Sequence, residues 1–217
     1  MTPAVKAVTF YLDFISPYAW LAFAALPRAL EGVNVQVHYK PVLFAALLKH
    51  HGQLGPAEIA GKRDWTYRQV QWLARQQGCE LMLPATHPFN PLGLLRLAIA
   101  IDAHAGPTRP VCEQIFRHAW CSGEDAADPG RLEQLTQRLR PQRDLASTEV
   151  KQTLQRYTQE AIDAGVFGVP TFVVDDKLFW GQDALPMLRA CLLGDPWIGG
   201  DAWQDAANVP AGAQRKP

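Results

Sequence analysis

No run of apolar residues in this chain approaches the ~18 that a membrane-spanning helix needs. Neither sign of charge dominates, since 21 lysines and arginines stand against 21 aspartates and glutamates. A balanced surface gives no net field to draw in nucleic acid or an anionic membrane, so neither partner is expected. The opening MTPAVKAVTFYLDF lacks the basic segment, long apolar core and small-residue cleavage site of a secretory signal. A cytoplasmic location is the expectation. Cysteines are few, at Cys79, Cys112, Cys121 and Cys191, and no two form a Cys-x-x-Cys pair. In a reducing compartment they read as free thiols in or near the core. His50-His51 and His118-x-x-Cys121 do not close a four-ligand set, so no metal is expected.

What is present is an ordinary globular composition, 48% hydrophobic, in 217 residues. That is enough for a sizeable core in one domain, or in a small domain with an insertion. Tryptophan is plentiful, with seven residues. Large aromatics read first as core and second as stacking surfaces.

The β-branched and aromatic run Val8 to Phe14 gives way at Ser16-Pro17 to an alanine- and leucine-rich segment, which reads as strand, turn and helix. Gly32 breaks that helix, and Val33, Val35 and Val37 then alternate with polar residues as a second strand. Residues 5–40 are therefore a βαβ unit with parallel strands. Helical spacing follows over residues 57–78, where Ile59, Trp65, Val70 and Leu73 mark the apolar positions. A further helix spans residues 90–106, with Asn90 as a cap, Pro91 at the first position and Gly106 past the end. Residues 108–123, 129–139 and 147–165 continue the pattern.

Strands return at Thr171–Val174 and Lys177–Trp180 around the turn Asp175-Asp176, and a last helix runs over residues 183–194. The tail VPAGAQRKP reads as disordered. The order βαβ, many helices, then ββα is that of an α/β, thioredoxin-like domain interrupted by an all-helical insertion. The expected division is residues 1–45 with 150–217 for the former and 46–149 for the latter.

Three stretches carry chemistry. Pro17 suits a first helical position, which places Ser16 at the N-cap. There its hydroxyl either just caps the helix or, with the helix dipole, stabilises a bound anion. Val169-Pro170, just before a strand, stands where this fold carries a cis-proline. That would face Val169 backbone groups towards Ser16, and the alternative is a trans proline opening an edge strand. Gly181-Gln182-Asp183 opens the last helix. Asp183 is either its cap, or it meets an ammonium while Gln182 and its N–H meet a carboxylate. A group with both charges on one carbon is an amino-acid end, such as the γ-glutamyl part of glutathione.

FYLDFISPYAWLA, HPFNPLGLLRLAIA and GVFGVPTFVV with FWGQD together resemble the 2-hydroxychromene-2-carboxylate isomerases, relatives of the kappa-class glutathione transferases. The resemblance spans roughly residues 7–192. It implies a homodimer, glutathione as cofactor and a small aromatic carboxylate as substrate. It makes Ser16 the catalytic residue, contacting the sulfur. Val169 and Pro170 are then the backbone contact, and Gly181, Gln182 and Asp183 the glutamyl site. Lys49, His87 and Asn90 of the insertion are candidates for the substrate side, with Trp65 and Trp72 as possible walls of an aromatic pocket. Ala184 stands where relatives commonly have arginine, and Gln182 where Asn or Ser is common.

The implied reaction interconverts a cyclic chromene carboxylate and a trans-o-hydroxybenzylidenepyruvate by reversible addition of a thiolate to a conjugated carbon. Two other readings share these residues. One is a kappa-like transferase that conjugates electrophiles, and the other a non-catalytic glutathione-binding module. Serine forms no disulfide, so dithiol redox chemistry at this turn is excluded.

Overall fold

The computed structural model describes residues 5–210 and 212. Residues 211 and 213–217 of the tail read as disordered lie outside the described residues. The elements run β1 (Lys6–Leu12), α1 (Pro17–Ala29), β2 (Val35–Pro41), α2 (Phe44–His50), α3 (Ala60–Gln77), α4 (Leu92–Ala100), α5 (Arg109–Trp120), α6 (Pro129–Leu139), α7 (Thr148–Asp163), β3 (Thr171–Val174), β4 (Lys177–Trp180), α8 (Leu185–Leu193) and α9 (Asp201–Ala207). Short 3-10 turns at Pro56–Glu58 and Gln182–Ala184 precede α3 and α8.

The sheet has the order β2-β1-β3-β4. β1 runs parallel to β2, with Lys6 opposite Val35 and Leu12 opposite Pro41. β3 is antiparallel to β1, and β4 to β3. β1 is therefore an inner strand covered on both faces, as its mostly apolar stretch Val8–Leu12 requires. Val8, Phe10, Leu12 and Phe14 join a core with α1, α4, α5, Phe172, Phe179 and α8. Tyr11 points the other way, into a smaller cluster with Val42, Leu47 of α2, Ala161 of α7, Val166 and Val169. The larger core is continuous from the sheet into the helices between β2 and β3, with Phe116 of α5 4.8 Å from Phe14 and 5.2 Å from Phe23.

Several expectations need correction. The helix expected over residues 90–106 stops at Ala100, because its terminal carbonyls bond elsewhere. Ala100 accepts the N–H groups of Gln142 and Arg143, and the Arg143 guanidinium binds the carbonyls of Ile99 and Asp102. The Asp102 carboxylate then takes the N–H groups of His104 and Ala105 into a loop. α2 and α9 were not expected.

On α3 the core face is Thr66, Val70 and Ala74, at steps of four, rather than the stripe through Trp65. Trp65 and Trp72 are 62% and 58% exposed, and Trp180 and Trp197 are exposed too, so tryptophan here is not mainly core. Asp183 is not the cap of α8. It lies in the preceding 3-10 turn, and Ala184 holds the cap position with no side-chain bond.

Candidate active site

The loop after β1 is tied at every peptide leading to Ser16. The Phe14 carbonyl accepts the Trp120 indole N–H at 2.8 Å. The Ile15 carbonyl accepts His87 Nε2 at 2.9 Å, and the Ile15 N–H donates to Asp13 Oδ1 at 3.1 Å. The Ser16 N–H donates to the Asp13 carbonyl at 3.1 Å. Ser16 then has the extended conformation of an N-cap, φ −90° and ψ 117°, and Pro17 opens α1.

The Ser16 hydroxyl is buried. Its oxygen accepts the Ala19 N–H at 3.2 Å. Its hydrogen points at the Val169 carbonyl across 3.5 Å, long for an O–H donor, whose ordinary range is ~2.5–3.0 Å. The Val169–Pro170 bond is cis, and so is His87–Pro88. Pro170 in turn accepts the Gly181 N–H at 2.9 Å, which brings the turn carrying Gln182 and Asp183 beside the cis-proline. Gly181 has φ 96°, a left-handed conformation that favours glycine, and a Cβ there would collide with the Asp183 carboxylate. At Gly168 a Cβ would meet the Trp180 indole nitrogen at 2.7 Å, so the Trp180 ring lies directly over the chain leading to Val169. Ser16, Val169, Pro170, Gly181, Gln182 and Asp183 are thus brought into one neighbourhood.

The substrate-side candidates behave differently from one another. Lys49 is exposed in the last turn of α2. Asn90 is exposed, and its side-chain oxygen accepts the Leu92 N–H at 3.1 Å at the start of α4. His87 uses both ring nitrogens inside the protein. Nε2 must donate, because its partner is the Ile15 carbonyl, so Nδ1 is left to accept the Tyr67 hydroxyl at 2.8 Å. Burial holds His87 below its ordinary pKa, with the Arg63 charge acting the same way and the Ile15 bond opposing. Gln182 is joined across the mouth to Gln77 of α3, at 2.8 Å. Tyr18, on the first turn of α1, donates to Gln69 at 2.7 Å, and burial raises its phenol.

Two site residues escaped the sequence reading, Asp13 and Tyr67. Asp13 is fully buried beneath the turn, with Oδ1 on Ile15 N–H and Oδ2 on the N–H of Phe44, the first residue of α2, at 2.9 Å. Burial pushes its carboxyl up to about 7 against the pull of the N–H groups of Phe44, Ile15 and Phe14. A charged residue between Leu12 and Phe14, directly after β1, is the signal that could have marked it, since buried carboxylates need partners.

A sheet of order β2-β1-β3-β4 whose helix-capping turn at Ser16 faces a cis-proline defines the class. The chain belongs to the family of DSBA-like thioredoxin domains, whose pattern it matches over residues 7–192. It is 28% identical over 193 residues to a 2-hydroxychromene-2-carboxylate isomerase of Pseudomonas putida, covering 85% of this chain and 93% of that protein. It is 26% identical over 217 residues to glutathione S-transferase kappa 1 of Rattus norvegicus, covering 92% and 96% respectively. A solved 2-hydroxychromene-2-carboxylate isomerase shares the fold with a TM-score of 0.75 at 24% identity, over 94% of this chain and 100% of that one.

Proposed function

We propose that this chain is a glutathione-dependent isomerase acting on aromatic carboxylates of the 2-hydroxychromene-2-carboxylate type, in the cytoplasm. The observation that carries the reading is the Ser16 hydroxyl, buried at the N-terminus of α1 with its hydrogen only loosely held by Val169. A hydroxyl so held can turn to a thiolate at little cost, and the α1 dipole favours negative charge at the same place. The surroundings suit a tripeptide thiol. The Val169 backbone offers an extended partner, and the Gly181 turn presents the Asp183 carboxylate, with Gln182 beside it, to an ammonium and carboxylate on one carbon. The chemistry the cofactor would supply when bound is a sulfur nucleophile.

The chain's own residues do the rest. Ser16 donates to the sulfur, and the turn between Gly181 and Ala184 anchors the glutamyl end. Lys49 stands five residues after Phe44, about 7.5 Å along α2 from the Asp13 anchor. In this reading Lys49 meets the substrate carboxylate, Asn90 is a second substrate-side residue, and helices within residues 46–149 wall the substrate side. We assign the exposed faces of Trp65 and Trp72, seven residues apart on α3, to contact with a second copy in a homodimer. Sedimentation then gives twice the 24.1 kDa chain mass, and a single-chain species would remove that assignment.

The relatives divide between isomerase and transferase names. The fate of glutathione separates these reactions. Under the isomerase reading glutathione is recovered unchanged after many turnovers on a hydroxychromene carboxylate. Its stoichiometric loss into a thioether would instead favour the kappa-like transferase.

A further inference from the structure

His87 and Tyr67 form a strut between helix α3 and the turn that carries Ser16. Nε2 of His87 holds the Ile15 carbonyl at 2.9 Å, and that carbonyl belongs to the same peptide unit as the Ser16 N–H. Nδ1 is held by the Tyr67 hydroxyl at 2.8 Å, which also lies 3.1 Å from the His87 carbonyl. The imidazole is wedged between rings, 5.4 Å from Trp120, 5.6 Å from Tyr67 and 5.8 Å from Phe89, centre to centre. Trp120 itself holds the preceding carbonyl, that of Phe14. Both polar atoms of the ring are therefore engaged before any substrate arrives.

We infer that His87 and Tyr67 are positioning residues: they set the orientation of the Ser16 hydroxyl and do not touch substrate. A hydrogen bond weakens steeply as its angle and length depart from optimum. A turn released at Ile15 moves Ser16, and the hydroxyl then donates less well to a sulfur beside it. The inference rests on the function proposed above, and it gives His87 a role through the turn instead of on the substrate side.

The test is a pH titration of the ultraviolet thiolate absorbance of the glutathione-loaded protein, in wild type, Tyr67→Phe, His87→Leu and His87→Gln. Losing one ordinary hydrogen bond lowers the thiolate fraction below the midpoint by roughly three- to tenfold, about 0.5 to 1 pH unit. That shift is expected for His87→Leu, and a smaller one for Tyr67→Phe. His87→Gln, whose amide nitrogen can reach the Ile15 carbonyl, should stay near wild type. An unshifted midpoint in His87→Leu together with a raised KM for the aromatic substrate would overturn the inference, since that is the mark of a substrate contact.

Should His87→Leu not fold, Tyr67→Phe removes only a hydroxyl, and an unshifted midpoint there overturns the strut. If wild type shows no thiolate band, the proposed function falls instead. Amide exchange at Ile15 and Ser16 then decides the strut. Faster exchange in Tyr67→Phe supports it, and unchanged exchange overturns it.

Discussion

Ser16→Ala should lower glutathione-dependent turnover by roughly 10²- to 10³-fold, the range seen when one preorganised donor to a developing anion is removed. The substitution leaves the Val169 carbonyl, the Gly181 turn and α1 in place, so glutathione binding is expected to survive within a few-fold. What goes is the donor at the sulfur, and with it the thiolate absorbance of the bound cofactor near neutral pH. The change also removes the bond from Ala19 to the cap, worth about 1 kcal/mol. In a chain of this size that lowers the melting temperature by only about 2–4 °C. Unfolding therefore cannot account for a hundredfold loss, and thermal denaturation beside steady-state kinetics separates the two effects. Full activity in a folded Ser16→Ala protein would refute the assignment. Binding that persists without any thiolate band in wild type would leave a glutathione-binding module.

The second large effect is on stability and comes from Asp13. Its carboxyl lies near 3.8 when exposed and is pushed up to about 7 in the folded protein, with burial as the main cause. The folded state thus holds the proton more tightly than the unfolded chain. Its contribution to stability is fully present below the unfolded value and is lost as pH rises through the folded one. Between about pH 4 and pH 7 the protein should become less stable as pH rises, by on the order of 4 kcal/mol from this group at about 1.4 kcal/mol per unit. Denaturant unfolding at pH 4 and pH 8 measures the difference. Asp13→Asn removes the titrating group, so its stability should lose most of this dependence. The amide oxygen can serve only one of the Ile15 and Phe44 N–H groups, which leaves the other facing an NH₂. An equal slope in both proteins would show that Asp13 does not titrate in this range.

Much of the frame was legible because it is local. Ser16 before Pro17 announced the start of α1, and Gly78, where the helical spacing stops, ends α3 in the left-handed conformation. The hairpin of β3 and β4 turns at Asp175, whose φ of 53° suits an Asp. The Val169–Pro170 bond is cis, as the fold order implied. The parallel pairing of β1 and β2 followed from the βαβ order.

What failed was decided by distant partners. Nothing near residue 101 announces that Arg143 will claim the last carbonyls of α4. Nor does spacing within α3 say that Tyr67 will meet a histidine in a later loop while Trp65 stays exposed. His87 was named for the substrate side, and in the folded chain its two nitrogens face the Ile15 carbonyl and the Tyr67 hydroxyl. Which atoms meet those nitrogens is a matter of distant partners, and a chain read in order does not contain that.

The separation of Ser16 from Val169 by 153 residues also bears on when the site can exist during synthesis. As the chain emerges, β1, α1 and β2 can pair early, because their contacts are short in sequence. The other edge of β1, where Phe10 will meet Phe172, stays open until synthesis has passed Val174 of the 217 residues. Closing so long a loop is a slow event, and an apolar strand waiting with one free edge invites wrong pairing meanwhile. The hydroxyl at residue 16 therefore acquires the carbonyl opposite it only when β3 docks, so no nascent or truncated chain ending before that strand has the complete site.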